Sequence, residues 1–323
     1  FNKNILTDHL LGDNKSDFQV ATDLDTNIPG LLQIGYTWTS DNLTLMNDDG
    51  QIVSNITTNT PCSFSVQLSN EVENVSRSIK LIIGPKSALP VISITSLGDM
   101  RSNGRMPCGV AADEIELPRP VNYAGIKYRG NYALTKPKKS YSIRFHEPHH
   151  LFGESGATHM YLMALALDRS YLRDKLCFDI LRGVVGDEKP KVRFAEVVIN
   201  GDYMGLYEIV EKIDRHSLGW PPYKQMKDSP GILYYPEGKN PNYNVSRLEN
   251  YIVRWPKELG GSKKEPLYNF MNFIENASTE EFIRELPKRT NLERLIFYHI
   301  LIWFSYDQDG ATQNTYLVKQ PGE

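Results

Sequence analysis

The chain carries 323 residues, 40% hydrophobic and 23% charged, with 23 Gly and 19 Pro. That usage excludes a disordered, collagen-like or low-complexity chain, and the length allows two globular domains. Lys and Arg number 36 against 39 Asp and Glu, a net charge of -3, so no one-sided basic field points to a nucleic-acid partner.

No stretch approaches the ~20 uninterrupted apolar residues of a bilayer span. The most apolar run, Leu295 to Phe304, is interrupted by Tyr298 and His299, so no membrane span is expected. Cys62, Cys108 and Cys177 are widely spaced and odd in number, which rules out a disulfide framework and a CxxC zinc site. The chain opens on Phe1 with no basic segment leading into an apolar one, and a processed chain is the expectation.

In chain order, the first ~85 residues alternate short β-rich runs with Asp-, Asn- and Gly-rich breaks. The runs are Phe18 to Ala21, Leu31 to Trp38, Cys62 to Leu68 and Ser78 to Ile83. Apolar residues take every second position from Ser63 to Leu68, as a half-buried strand requires. An all-β sandwich is expected. The segments Tyr36-Thr37-Trp38-Thr39-Ser40-Asp41, Asn47-Asp48-Asp49-Gly50 and Lys80 to Gly84 are similar to bacterial immunoglobulin-like domains, with another small β-sandwich as the alternative.

Gly84 to Pro90 holds a glycine and two prolines between apolar strands and marks the domain junction, giving residues 1–88 and 89–323. Strands are expected at Val91 to Ile94, Ile126 to Arg129 and Ser140 to Phe145, and His146-Glu147-Pro148-His149-His150 as a solvent-facing loop rather than a zinc motif. A helix capped by Asp168 or Ser170 follows. Ala195 to Ile199 and Asp202 to Val210 are then joined by Asn200-Gly201, a pair suited to a two-residue hairpin turn. Helices follow from Glu265 to Glu275, after a capping box Ser278-x-x-Glu281, and after a second, Thr290-x-x-Glu293, before a buried-looking run from Leu295. Strands giving way to helices, without regular βαβ alternation, reads as α+β.

Asp309 and Asn314 stand five positions apart after that last helix, the D-x-x-x-x-N spacing that lets a carboxylate reach a hydroxyl while an amide holds a metal ion. Five segments in a fixed order accompany the pair: Ile126 to Asn131, Lys136 to Tyr141, Leu165 to Arg173, Val198 to Glu211, and Asp309 to Leu317. Together they resemble the spore-coat protein H (CotH) kinase family. The resemblance implies an atypical protein-kinase-like, two-lobed domain that binds ATP with Mg2+ or Mn2+ and transfers the γ-phosphoryl group to the hydroxyl of a secreted or surface protein. It makes Asp309 the catalytic aspartate and Asn314 the metal-holding amide. Lys138 or Lys139 becomes the phosphate-binding lysine, with Arg129 as a second cation.

Glu211 would face the nucleotide ribose or adenine, or else form a surface salt bridge with Lys212 or Arg215. Magnesium between phosphates needs a further hard oxygen ligand downstream of the loop, and no such acid stands before Glu323. The C-terminal part of the domain is therefore expected beyond that residue. A non-catalytic surface binding or adhesion protein built on the same scaffold is the second expectation. An extracellular or cell-surface location follows by analogy only.

Overall fold

A computed structural model describes Leu24, Thr26, Gly310 and residues 35–53, 60–69, 74–84, 89–112, 121–149, 157–186, 191–226, 229–237, 244–257, 261–307 and 314–322. The strand expected at Phe18 to Ala21 and the candidate Asp309 lie outside these residues.

Strands β1 (Gly35–Ser40), β2 (Thr60–Ser69) and β3 (Asn74–Ile83) form an antiparallel sheet in that order. The alternation seen in the sequence sends Cys62, Phe64 and Val66 to one face, all buried. There Trp38 stacks on Phe64 at 5.0 Å between ring centroids, and Met46, Ile79, Leu81 and Ile83 complete a closed core. The described residues contain this single sheet for the N-terminal region.

Seven strands follow: β4 (Val91–Ser96), β5 (Met106–Ala112), β6 (Val121–Arg129), β7 (Ser140–His149), β8 (Ala157–Met163), β9 (Val192–Ile199) and β10 (Asp202–Glu211). They close into a barrel in the order β10-β8-β7-β6-β5-β4-β9. The β4 and β9 strands run parallel, from Val91 opposite Glu196 to Ile94 opposite Ile199. Asn200 (φ 54) and Gly201 (φ 82) both take the positive φ that a tight hairpin turn demands, joining β9 to β10. His146 to His149 do not form a loop. They extend β7, with His146, Glu147 and Pro148 all exposed, so the segment faces solvent as expected but as strand.

The C-terminal region contributes helix α1 (Arg173–Val185) and a second antiparallel sheet, β12-β11-β13, from β11 (Ile232–Pro236), β12 (Tyr251–Trp255) and β13 (Leu317–Lys319). Helices α2 (Glu265–Asn276), α3 (Thr279–Arg289) and α4 (Leu292–Ser305) complete it. Leu267 and Met271 of α2 pack on Ile232, Tyr234 and Tyr251. The Ser278 hydroxyl accepts from Glu281 N at 3.2 Å, as a capping box should.

The second expected box is corrected. Thr290 ends α3, and Asn291 caps α4 by accepting from Arg294 N at 2.9 Å. The apolar run of α4 is not buried either. Of its residues only Leu301 is, while Trp303 and Phe304 are each 74% exposed. No described helix is long and apolar enough to cross a membrane.

Two units emerge. The first comprises Phe1–His146, Leu162–Ala164 and Phe194–Glu208, and the second comprises Glu147–Tyr161, Leu165–Arg193 and Ile209–Glu323. The chain as a whole is mixed, with a β-rich body and helices gathered late.

Candidate functional site

Arg129, Lys138 and Lys139 belong to the first unit, Glu211 and Asn314 to the second. Arg129 ends β6, with Nη1 at 3.0 Å from Met163 Sδ. Gly130 follows at φ +103, and a Cβ there would sit 3.0 Å from the Ala133 methyl. This is a tight reversal that favours glycine.

The two adjacent lysines have different surroundings. Lys139 Nζ donates to Leu134 O and Lys136 O, both at 2.6 Å, and so clamps the single 3-10 turn Tyr132–Thr135. Its carbonyl is fixed in turn by Tyr207 Oη at 2.9 Å. Lys138 Nζ instead donates to Leu206 O on β10 and stands 4.4 Å from the centroid of the Tyr207 ring. Burial lowers its pKa below the ordinary lysine value.

In the second unit, Glu211 is only 3% exposed at the end of β10. Its backbone N–H reaches Lys191 O at 3.4 Å. Just after it, Lys212 to His216 form one wall of a cavity of about 760 Å³, within the ~300–1,000 Å³ typical of small-molecule sites. Leu233, Ile252, Val253 and Trp255 supply an apolar floor, with Tyr161 and Tyr316 beside them. Five cations, Lys212, Arg215, Arg254, Lys257 and Lys263, line it against one carboxylate, Asp214.

That carboxylate is committed to structure. Asp214 Oδ1 accepts from His216 N at 2.9 Å and Ser217 N at 3.3 Å, closing the turn that follows β10. Arg215 donates to Trp220 O at 2.8 Å and to His216 Nε2 at 2.8 Å. Burial first, and the Arg215 charge second, lower the His216 pKa and favour the neutral ring. Trp220, 7% exposed, packs against Trp255 at 5.5 Å between centroids, so Trp220 serves packing.

Asn314 adjoins this cavity through its neighbours. It takes a left-handed backbone (φ 60), and its Oδ1 accepts from Tyr235 Oη at 3.4 Å. The Tyr235 ring contacts the cavity residues Tyr316, at 5.2 Å, and Arg254, whose guanidinium lies 4.7 Å from its centroid. Gly310 is held through both its amide and its carbonyl. Asp307 Oδ1 accepts from Gly310 N at 2.9 Å, while Tyr298 Oη and Thr315 Oγ1 both donate to Gly310 O at 2.8 Å. A Cβ on Gly310 would meet Asp307 Oδ2 at 2.3 Å and Ile302 Cδ1 at 2.5 Å, so any larger residue would force both side chains to shift.

Asp307 also acts on α1. Burial, followed by the charges of Asp168 and Asp307, raises the Asp174 pKa. Asp168 itself accepts from Arg173 N at 3.1 Å, but the residue at the N-cap position of α1 is Leu172, so neither Asp168 nor Ser170 is the cap residue expected. Among the described residues no group of three or more His, Cys, Asp or Glu side chains is spaced to hold a metal.

Sequence reasoning missed Arg254, Lys257 and Lys263. They come from β12, the turn after it and the 3-10 turn Gly261–Lys264. No single motif gathers them.

Comparison with known proteins bears on this geometry. The chain is 27% identical over 205 residues to the inner spore coat protein H of Bacillus subtilis (strain 168). That alignment covers 61% of this chain and 54% of the relative, so the chain spans about half of the relative's length. Residues 126–323 match the family described as CotH kinase protein. Since that match takes in more than half of the 323 residues, the protein belongs to the CotH kinase family.

Proposed function

We propose that this protein is an ATP-dependent protein kinase of a spore coat or cell surface, transferring a phosphoryl group to a protein hydroxyl. The observation that carries the reading is the cavity next to Asn314, where five cations face one structurally committed carboxylate. Such a surplus suits a polyanion of nucleotide size, and the apolar floor with Trp255 and Tyr316 suits a base. The coat location rests on the relative named above.

In this reading Lys138, with Arg129, holds phosphate oxygens, while Lys139 stays in its turn as a structural clamp. Glu211 faces the ribose or adenine. Asp309 orients and accepts the proton of the attacking hydroxyl. The Asn314 amide oxygen, a hard donor, would be one ligand of Mg2+ or Mn2+, which when bound offsets charge between phosphates. Residues 1–88 would form an immunoglobulin-like module and residues 89–323 the two-lobed catalytic domain.

The test is thermal denaturation of the full chain with ATP, with Mg2+ or Mn2+, and with both. ATP at 100 times its Kd, together with metal, should add about 2.7 kcal/mol. Arg254→Glu should shrink that gain, and Asp309→Ala should retain it while removing phosphoryl transfer. No gain with any combination, or transfer surviving Asp309→Ala, would overturn the proposal.

A further inference from the structure

We propose that the groove between α2 and α3 docks an extended peptide segment and recognises it largely through its backbone. The groove is an open depression of about 390 Å³, and none of its lining residues lines the 760 Å³ cavity. Asn269, Asn272 and Asn276 line it, spaced by three and four positions and so sharing one face of α2. A carboxamide offers a donor and an acceptor together, the combination that a peptide group presents. A phosphate or a hydrocarbon would use half of that capacity or none.

Part of the row is pre-set. Asn276 Nδ2 donates to Asn272 O at 3.1 Å and Asn272 Oδ1 at 3.0 Å. Those bonds fix both side chains and leave Asn276 Oδ1, Asn272 Nδ2 and the whole Asn269 carboxamide for a ligand.

The other wall carries opposite charges. Arg289 stacks its guanidinium 4.5 Å from the centroid of buried Phe273, which is itself stacked on Phe282 at 5.8 Å. Glu281 lies one helix length away, in the first turn of α3. Neither side chain makes an ion pair among the described residues. Eight residues of helix separate them, ~12 Å at 1.5 Å per residue. About four residues of extended chain, at ~3.3 Å each, cover that distance. An acidic side chain toward Arg289 and a basic one toward Glu281 would set direction and register. Glu281 disfavours a polyphosphate, so this is not a second nucleotide site.

The inference goes beyond phosphotransfer, and its test uses no nucleotide. The full chain is incubated with an immobilised array of random dodecapeptides and, separately, with a glycan array. Peptides should bind. The best of them, labelled with fluorescein, should lose about tenfold in affinity when two central backbone amides are N-methylated, because each lost hydrogen bond strands an amide partner.

Asn269→Ala with Asn272→Ala should produce a similar loss, and Arg289→Glu should switch the preferred residue at one end from acidic to basic. N-methylation leaves the protein untouched, so a variant that folds poorly cannot obscure the result. No binding peptide, binding of glycans alone, or affinity that survives both N-methylation and the asparagine changes would overturn it. A loss here would leave the thermal response to ATP and metal intact, and the converse also holds.

Discussion

The lysines that open β7 and the cations around the 760 Å³ cavity put the same charge to different uses. Lys139 is held by two carbonyls of its own turn, and Lys138 by a carbonyl of β10 and an aromatic face. In the second unit Arg254 and Lys263 stand on separate segments around an apolar floor, and Arg215 is tied back to its own loop, at Trp220. Lys139, whose donors go to two carbonyls of its own turn, is part of the framework. A cation that shares an open cavity with like charges invites an anion.

The contrast breaks most readily behind the cavity floor, where Trp220 packs against Trp255 and Leu233. Trp220→Ala should cost about 3–5 kcal/mol, because a buried indole against Trp255, Met226 and Leu233 leaves a void. The urea midpoint of the second unit's transition would report it. Gly310→Ala should cost about 1–3 kcal/mol through the enforced clash with Asp307 and Ile302. The same change should also abolish phosphoryl transfer while ATP still shifts the melting temperature.

The lysine pair sharpens the comparison further. Lys139→Met should destabilise by about 1 kcal/mol at neutral pH, since it strands two carbonyls. Lys138→Met should act through pH. With its folded pKa lowered by burial, the unfolded chain binds more protons, so stability rises as pH climbs toward the ordinary value of 10.5. The Met variant should lose that rise, which denaturation between neutral and alkaline pH would reveal.

The smallest effect concerns a carboxylate. Asp174 is raised by burial and by Asp168 and Asp307, so its contribution is fully present in acid and fades as pH rises through its folded value. Asp174→Asn should therefore raise Tm by about 2 °C at neutral pH and leave it unchanged near pH 3.

Much of the β framework was legible because strand burial has a period of two. Cys62, Phe64 and Val66 announce their face, and Asn200-Gly201 announces its turn. The helical end was less readable. In α4 a nearly continuous apolar run conceals which face packs inward, and Trp303 with Phe304 ends up outside. Thr290 and Asn291 are both good caps, and only the path of the chain chooses between them. Motif order nominates Arg129, Lys138, Lys139 and Asn314 as candidates, but it does not tell Lys138 from Lys139, since the difference in their surroundings lies in β10. The cavity's cations come from distant segments, so only tertiary structure assembles them.

Trp303 gives the protein a built-in optical reporter. Trp38 and Trp220 are nearly sealed from solvent at 6% and 7%, whereas the Trp303 indole is 74% exposed and within hydrogen-bonding distance of His299 at 3.0 Å. Iodide should therefore quench a red-shifted component of the emission first. Any molecule that settles on α4 would shield that component from the quencher and shift its colour to the blue.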